Sequence, residues 1–140
     1  MTAPSVIHER RLETLDTAAV LAGCLLTVTI EVGQIPDVAR ADLGRRRLFI
    51  GDAKASETQG NFETLRRLRR YARAATAWAD AGYTVRLGIC HGPEAAADWR
   101  PTLHAIAVQA GLSVCRSGRL SLEDEVIDWL DAAGQGISTI

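Results

Sequence analysis

The chain has 140 residues, 47% hydrophobic and 24% charged, with a formal net charge of −1. That length suits one domain, 1–140, able to bury roughly two thirds of its unfolded surface. No apolar stretch approaches the ~20 residues of a membrane span, and the near-neutral balance gives no whole-chain pull toward nucleic acid. The start, Met1-Thr2-Ala3-Pro4, lacks a basic segment followed by an apolar one, so no secretory signal and a cytoplasmic location are expected. Cys24, Cys90 and Cys115 each stand in an apolar, strand-like context and read as buried thiols of a reducing compartment; no two have zinc-ligand spacing.

Residues 5–22 carry Leu12, Leu15, Ala19 and Ala22 at three- and four-residue steps, which predicts an amphipathic helix ended by Gly23. The β-branched run 25–32 predicts a strand. A short strand over 35–41 and another over 46–53, joined by Asp42-Leu43-Gly44-Arg45, predict a hairpin. A long helix follows over 60–81, with Phe62, Leu65, Leu68, Ala72, Ala75 and Ala79 on one face and Gly82 at its end. Then come a strand (83–90), the turn His91-Gly92-Pro93, a helix (95–110) with Pro101 near its start, and a brief strand (112–116). A last helix is expected over 121–133, capped by Ser121-Leu122-Glu123-Asp124, before a fraying tail over 134–140. The order α-β-β-β-α-β-α-β-α predicts an α/β domain, a mixed central sheet flanked by helices.

Charge is unevenly spread. Between Arg40 and Arg73 there are ten basic side chains against four acidic ones, whereas Glu123, Asp124, Glu125, Asp128 and Asp131 crowd the expected last helix. Of the 16 basic residues, 15 are arginine and only Lys54 is lysine. Arginine stays charged and suits phosphate forks, whereas a lysine can be tuned by burial to hold or move a proton. Lys54 closes the tract Leu48-Phe49-Ile50-Gly51-Asp52-Ala53-Lys54.

The hairpin brings Asp37, near the start of one strand, beside Asp52, near the end of its antiparallel neighbour. Residues two apart in a strand face one side, so Asp52 and Lys54 project together. Two carboxylates and the backbone carbonyl of Ala53 form an oxygen-rich site suited to Mg²⁺ or Mn²⁺. Such an ion activates water and offsets phosphoryl charge, and Lys54 would orient the water or stabilise the transition state.

Pro36-Asp37, fourteen residues, then Asp52-Ala53-Lys54 resembles the PD-(D/E)xK nuclease superfamily, the restriction-endonuclease-like fold. The resemblance covers about the first two thirds of the chain and implies an αβββαβ core, here with a C-terminal αβα addition. It implies Asp37 and Asp52 as metal ligands, Lys54 as the catalytic lysine, and a divalent-metal-dependent endonuclease that leaves a 5′-phosphate on DNA. It further implies a glutamate from the first helix: Glu9 or Glu13, with Glu9 preferred because it shares a face with Leu12, Asp16 and Ala19, while Glu31 is another candidate. On the helix after the D-x-K strand it points to Gln59, Asn61, Arg66, Arg69, Arg70 and Tyr71. Arg66, Arg70 and Arg73 form a stripe there, which predicts contact with nucleic acid phosphates. Cutting both strands of a duplex would call for a homodimer. Two other readings remain open: a catalytically idle module that binds DNA or a partner protein supplying specificity, and an enzyme acting on a non-nucleic phosphate ester.

Overall fold

The computed structural model describes residues 3–30, 35–54, 62–93 and 98–135. Three helices and six strands follow the chain as α1 (Pro4–Leu21), β1 (Leu26–Thr27), β2 (Val38–Asp42), β3 (Arg47–Ala53), α2 (Phe62–Asp80), β4 (Thr84–His91), α3 (Arg100–Gln109), β5 (Ser113–Ser121) and β6 (Val126–Ala133). The strands make one mixed sheet in the order β1-β2-β3-β4-β6-β5. The expected α/β architecture, a mixed sheet flanked by helices, is the one present, and α1 through β4 run in the order α-β-β-β-α-β.

The β2–β3 hairpin turns through residues 43–46, where the Asp42 carboxylate accepts the Arg45 amide at 3.0 Å. From β3 the chain crosses over α2 and returns as β4, parallel to β3 with Asp52 opposite Ile89 and Ala53 opposite Cys90. A parallel pair needs such a crossover, and its helix covers one sheet face. Side-chain alternation sorts β3 accordingly. Leu48 and Ile50 enter the core beneath α2 and α3 with Leu68, Tyr71, Leu103 and Ile106, while Phe49 joins Leu15, Ala19, Val38 and Ile127 beneath α1.

Gly51 and Gly88 are register partners, and they let α1 settle close to the sheet. A methyl group on Gly51 would lie 2.3 Å from the Gly88 carbonyl oxygen and 3.3 Å from the Leu15 side chain. At α3, Pro101 falls in the first turn, where the missing amide hydrogen costs no helix bond.

Residues 121–133 differ from expectation: they are not a helix. Strand β5 runs on to Ser121, a turn closes with the Leu122 amide on the Glu125 carbonyl at 2.8 Å, and β6 inserts antiparallel between β4 and β5. The three-residue spacing of Asp128 and Asp131 mimics a helix face, yet in a strand it sends them to opposite faces, each to waiting arginines. Asp131 takes Arg86 at 2.7 and 2.9 Å and Arg116 at 2.9 Å. Asp128, fully buried, takes Arg119 at 2.6 and 2.9 Å, the Trp99 amide at 2.9 Å and His91 at 2.7 Å. Arginines on the neighbouring strands thus neutralise acids that would otherwise be barred from a central strand. Trp129 also moves from the expected helix to β6, where its ring lies over Gly118 and between Arg86 and Arg116, their guanidinium carbons 4.0 and 5.6 Å from its centroid. The addition after β4 is therefore αββ rather than αβα.

Two smaller expectations also change. The strand predicted over 25–32 is regular only at Leu26–Thr27 among its described residues. Cys24 and Cys90 are buried as expected, but Cys115 is exposed because it lies on edge strand β5, at a bulge between Val114 and Arg116. No helix among the described residues is long and apolar enough to cross a membrane.

Two stability predictions follow from the packing. Gly51→Ala should cost roughly 1–3 kcal/mol, read as a lower urea midpoint, because the β3–β4 pair and Leu15 leave no room for a methyl. Burial alone would push the Asp128 carboxyl up, but the hydrogen bonds from His91, Arg119 and the Trp99 amide outweigh it and hold the group well below the usual carboxylate range. A carboxylate depressed in the folded state contributes stability above its unfolded value, about 3.9, that is lost as pH falls below it. Asp128→Asn should therefore cost about 3–5 kcal/mol at neutral pH and flatten the wild-type decline in stability below about pH 4, both measurable by circular dichroism.

Candidate active site

The carboxyl end of β3 opens onto a cavity of about 230 Å³ lined by His8, Asp37, Asp52, Ala53, Lys54, Glu63, Thr64 and Arg67. A crevice at the carboxyl ends of parallel strands is where α/β sheets commonly bind ligands. Antiparallel pairing of Val38 with Gly51 sets Asp37 beside Asp52. The two are cross-linked through the backbone: the Asp37 amide donates to Asp52 Oδ1 at 3.1 Å, and the Ala53 amide donates to Asp37 Oδ2 at 2.9 Å.

Lys54 follows β3, its own amide held by the Cys90 carbonyl at 2.8 Å and its carbonyl by the Arg11 guanidinium at 2.6 Å. Its ammonium group donates to Thr64 Oγ1 on α2 at 2.5 Å. The strand end is thus pinned by α1 and β4 while the side chain spans toward α2. Asp37, Asp52, Ala53 and Lys54, singled out from the spacing, all line this one cavity.

Positive charge reaches the carboxylates from α2. Arg67 donates to Asp52 Oδ2 at 2.8 Å and to Oδ1 at 3.2 Å, and its Nη2 stands 3.9 Å from Asp37 Oδ1. The Tyr71 hydroxyl, one turn on and fully buried, lies 3.0 and 3.1 Å from the two Asp52 oxygens. Asp52 is only 3% exposed. Its pKa is raised, first by burial and then by the negative charge of Asp37, with Arg67 pulling the other way. Burial and the nearby Asp52 charge likewise push the Tyr71 hydroxyl up, so it remains a donor at neutral pH.

From α1 the site receives His8, whose Nε2 lies 3.2 Å from Asp37 Oδ2. It does not receive Glu9. The inward face of α1 is set by Arg11, Leu15 and Ala19 at four-residue steps, and Glu9 falls about 200° around the helix from Arg11. Glu9 is exposed and outside the cavity lining; Glu13 is exposed too and borders a separate groove with Leu21 and Leu120. Glu31, Gln59 and Asn61 lie outside the described residues.

Residues Arg66, Arg70 and Arg73 lie on the outer side of α2, turned away from Thr64 and Tyr71. Arg66 sits over the Phe62 ring and pairs with Glu63 at 3.4 Å. Among the described residues Arg69, Arg70 and Arg73 form no ion pair, and the β6 acids Asp128 and Asp131 are taken by Arg86, Arg116 and Arg119.

Sequence reasoning passed over His8, Thr64 and Arg67. A signal for Arg67 existed: it stands beside Leu68 on the apolar stripe of α2 and four residues before Tyr71, a place an arginine occupies only with a buried acid to meet.

The donor set fits a hard divalent cation in kind: carboxylates from Asp37 and Asp52 and a strand-end carbonyl, all oxygen. Glu63 adds a further carboxylate to the cavity wall. Among the described residues, however, no three or more His, Cys, Asp or Glu side chains are grouped to hold a metal, and the Asp52 oxygens already accept from Arg67 and Tyr71. The chain matches no family model, no curated protein and no solved structure.

Proposed function

We propose that this protein is a divalent-metal-dependent nuclease hydrolysing DNA phosphodiester bonds, a member in function of the PD-(D/E)xK group it resembles. The observation that carries this reading is the meeting of Asp37, Asp52 and Lys54 in one cavity at the carboxyl end of β3. The α-β-β-β-α-β order that leads to it adds support.

Asp37 and Asp52 would hold Mg²⁺ or Mn²⁺, with the Ala53 carbonyl as a further oxygen. When bound, the ion supplies charge neutralisation at the phosphoryl oxygens and acidifies a water. The protein's own groups do the rest. Lys54 Nζ, steadied by Thr64 Oγ1, holds a proton and a positive charge where negative charge builds up on the phosphoryl group. Backbone amides of Asp37 and Ala53 fix the two carboxylates against each other, so no rearrangement of the strands is required. Arg66, Arg70 and Arg73, on the outer side of α2, would track the nucleic acid backbone beyond the cavity. A second copy of the chain would provide the second site for a duplex cut.

A second reading has its own observation. Because Arg67 and Tyr71 already satisfy Asp52, the site is electrostatically complete enough to serve an idle module that binds DNA without cutting it.

Incubation with plasmid and Mg²⁺ or Mn²⁺ separates the two. Cleavage should occur with the wild type and fall by about 10²–10⁴-fold in Lys54→Ala and Asp52→Asn. Intact DNA under every metal condition, with binding retained, would favour the idle module. In either case Arg66→Ala, Arg70→Ala and Arg73→Ala combined should weaken DNA binding without sequence preference. The salt slope, followed by fluorescence anisotropy, should drop by about one unit per phosphate contact removed.

A further inference from the structure

Arg67 is bound where a cation would be bound. Its guanidinium grips Asp52 through two bonds and reaches within 3.9 Å of Asp37, so one positive group spans the carboxylate pair. Asp52 Oδ1 already accepts from the Asp37 amide and Arg67, Oδ2 from Arg67, and the single Tyr71 hydroxyl proton serves one oxygen or the other, which fills the four lone-pair positions of the carboxylate. That leaves no lone pair for direct coordination while Arg67 stays in place. A divalent ion between the two acids would also stand against the guanidinium, and like charges so close repel strongly in a poorly solvated site.

The arrangement is reversible in its geometry. Tyr71 is fully buried and can keep its hydrogen bond to Asp52, whereas the Arg67 side chain is 30% exposed at the cavity wall. Its remaining contacts are longer, 3.1 Å to Tyr71 and 3.4 Å to the Ile35 carbonyl. It can swing outward on the four rotatable bonds of its side chain without disturbing α2.

Resting on the nuclease reading, we infer that Arg67 is a resident counter-cation exchanged for the divalent ion. It neutralises Asp37 and Asp52 while the site is metal-free, and it leaves Asp52 when the ion enters. The displaced guanidinium then faces the cavity as a two-pronged donor for the oxygens of a phosphodiester. Arg67 and the ion compete for one position, which makes metal affinity a property the arginine sets.

Mn²⁺ titration by calorimetry tests this on the folded wild type, Arg67→Met and Arg67→Lys, with Asp37→Asn added to Arg67→Met to locate the ion. Arg67→Met should bind Mn²⁺ at least about tenfold more tightly than the wild type, Arg67→Lys should fall between them, and Asp37→Asn should abolish the gain. Melting temperature should rise more with Mn²⁺ in Arg67→Met than in the wild type. Should Arg67→Met fail to fold, the wild type answers alone: on Mg²⁺ titration the Arg67 Nε–H resonance should lose its hydrogen-bonded shift. Mn²⁺ binding to the wild type with equal or weaker affinity in Arg67→Met, or Mg²⁺ binding with the Nε–H signal unmoved, overturns the exchange but leaves the nuclease reading standing. Absence of Mn²⁺ binding in every folded variant overturns both.

Discussion

Asp37 and Asp52 share hydrogen bonds at the end of a hairpin, and two carboxylates so placed repel each other unless positive charge lies between them. Much of the local architecture answers that constraint. Helix α2 leans Arg67 and Tyr71 over Asp52, α1 brings His8 to Asp37 and Arg11 to the Lys54 carbonyl, and β4 holds the Lys54 amide. One end of the sheet, both of its covering layers and the crossover between them therefore converge on one electrostatic problem. Burial first, and the Asp37 charge second, keep the Asp52 pKa raised despite the guanidinium.

The same rule operates a second time in the opposite half of the sheet, with another outcome. Asp128 and Asp131 are also buried, yet each accepts from a forked arginine, and both are held below the usual carboxylate range against the burial that would raise them. Asp128 and Asp131 are enclosed within the sheet's own contacts, whereas Asp37 and Asp52 line a cavity. A depressed carboxylate thus marks the anchors at Asp128 and Asp131, and a raised one, Asp52, lies in the cavity wall.

What could be read from the chain was whatever local period and turn chemistry dictate. The β2–β3 hairpin, the long α2 and the apolar β4 follow from alternation, glycine stops and a 3.6-residue stripe, and they suffice to bring Asp37, Asp52 and Lys54 together. Strand β6 was not legible, because Asp128 and Asp131 obey helix spacing and only the arginines of β4 and β5, distant in sequence, make them tolerable in a sheet. Glu9 was misplaced for a related reason: the buried stripe of α1 includes Arg11, which hydropathy assigns to solvent, so the inward face was read one position away. Arg67 was hidden among four neighbouring arginines that differ from it only in the direction they point. In each case tertiary charge pairing overrode a local pattern.

The outermost strand carries a lesson about solubility. Strand β5 spans nine residues and, among the described residues, pairs on one side only, long enough to template the addition of a foreign strand. The irregularity at Val114–Arg116 interrupts its ladder, and Arg116 and Arg119 lean back onto β6 acids, so the border presents a broken rail edged with charge. The arginines that let two aspartates live inside the sheet thereby also discourage it from growing into a fibre.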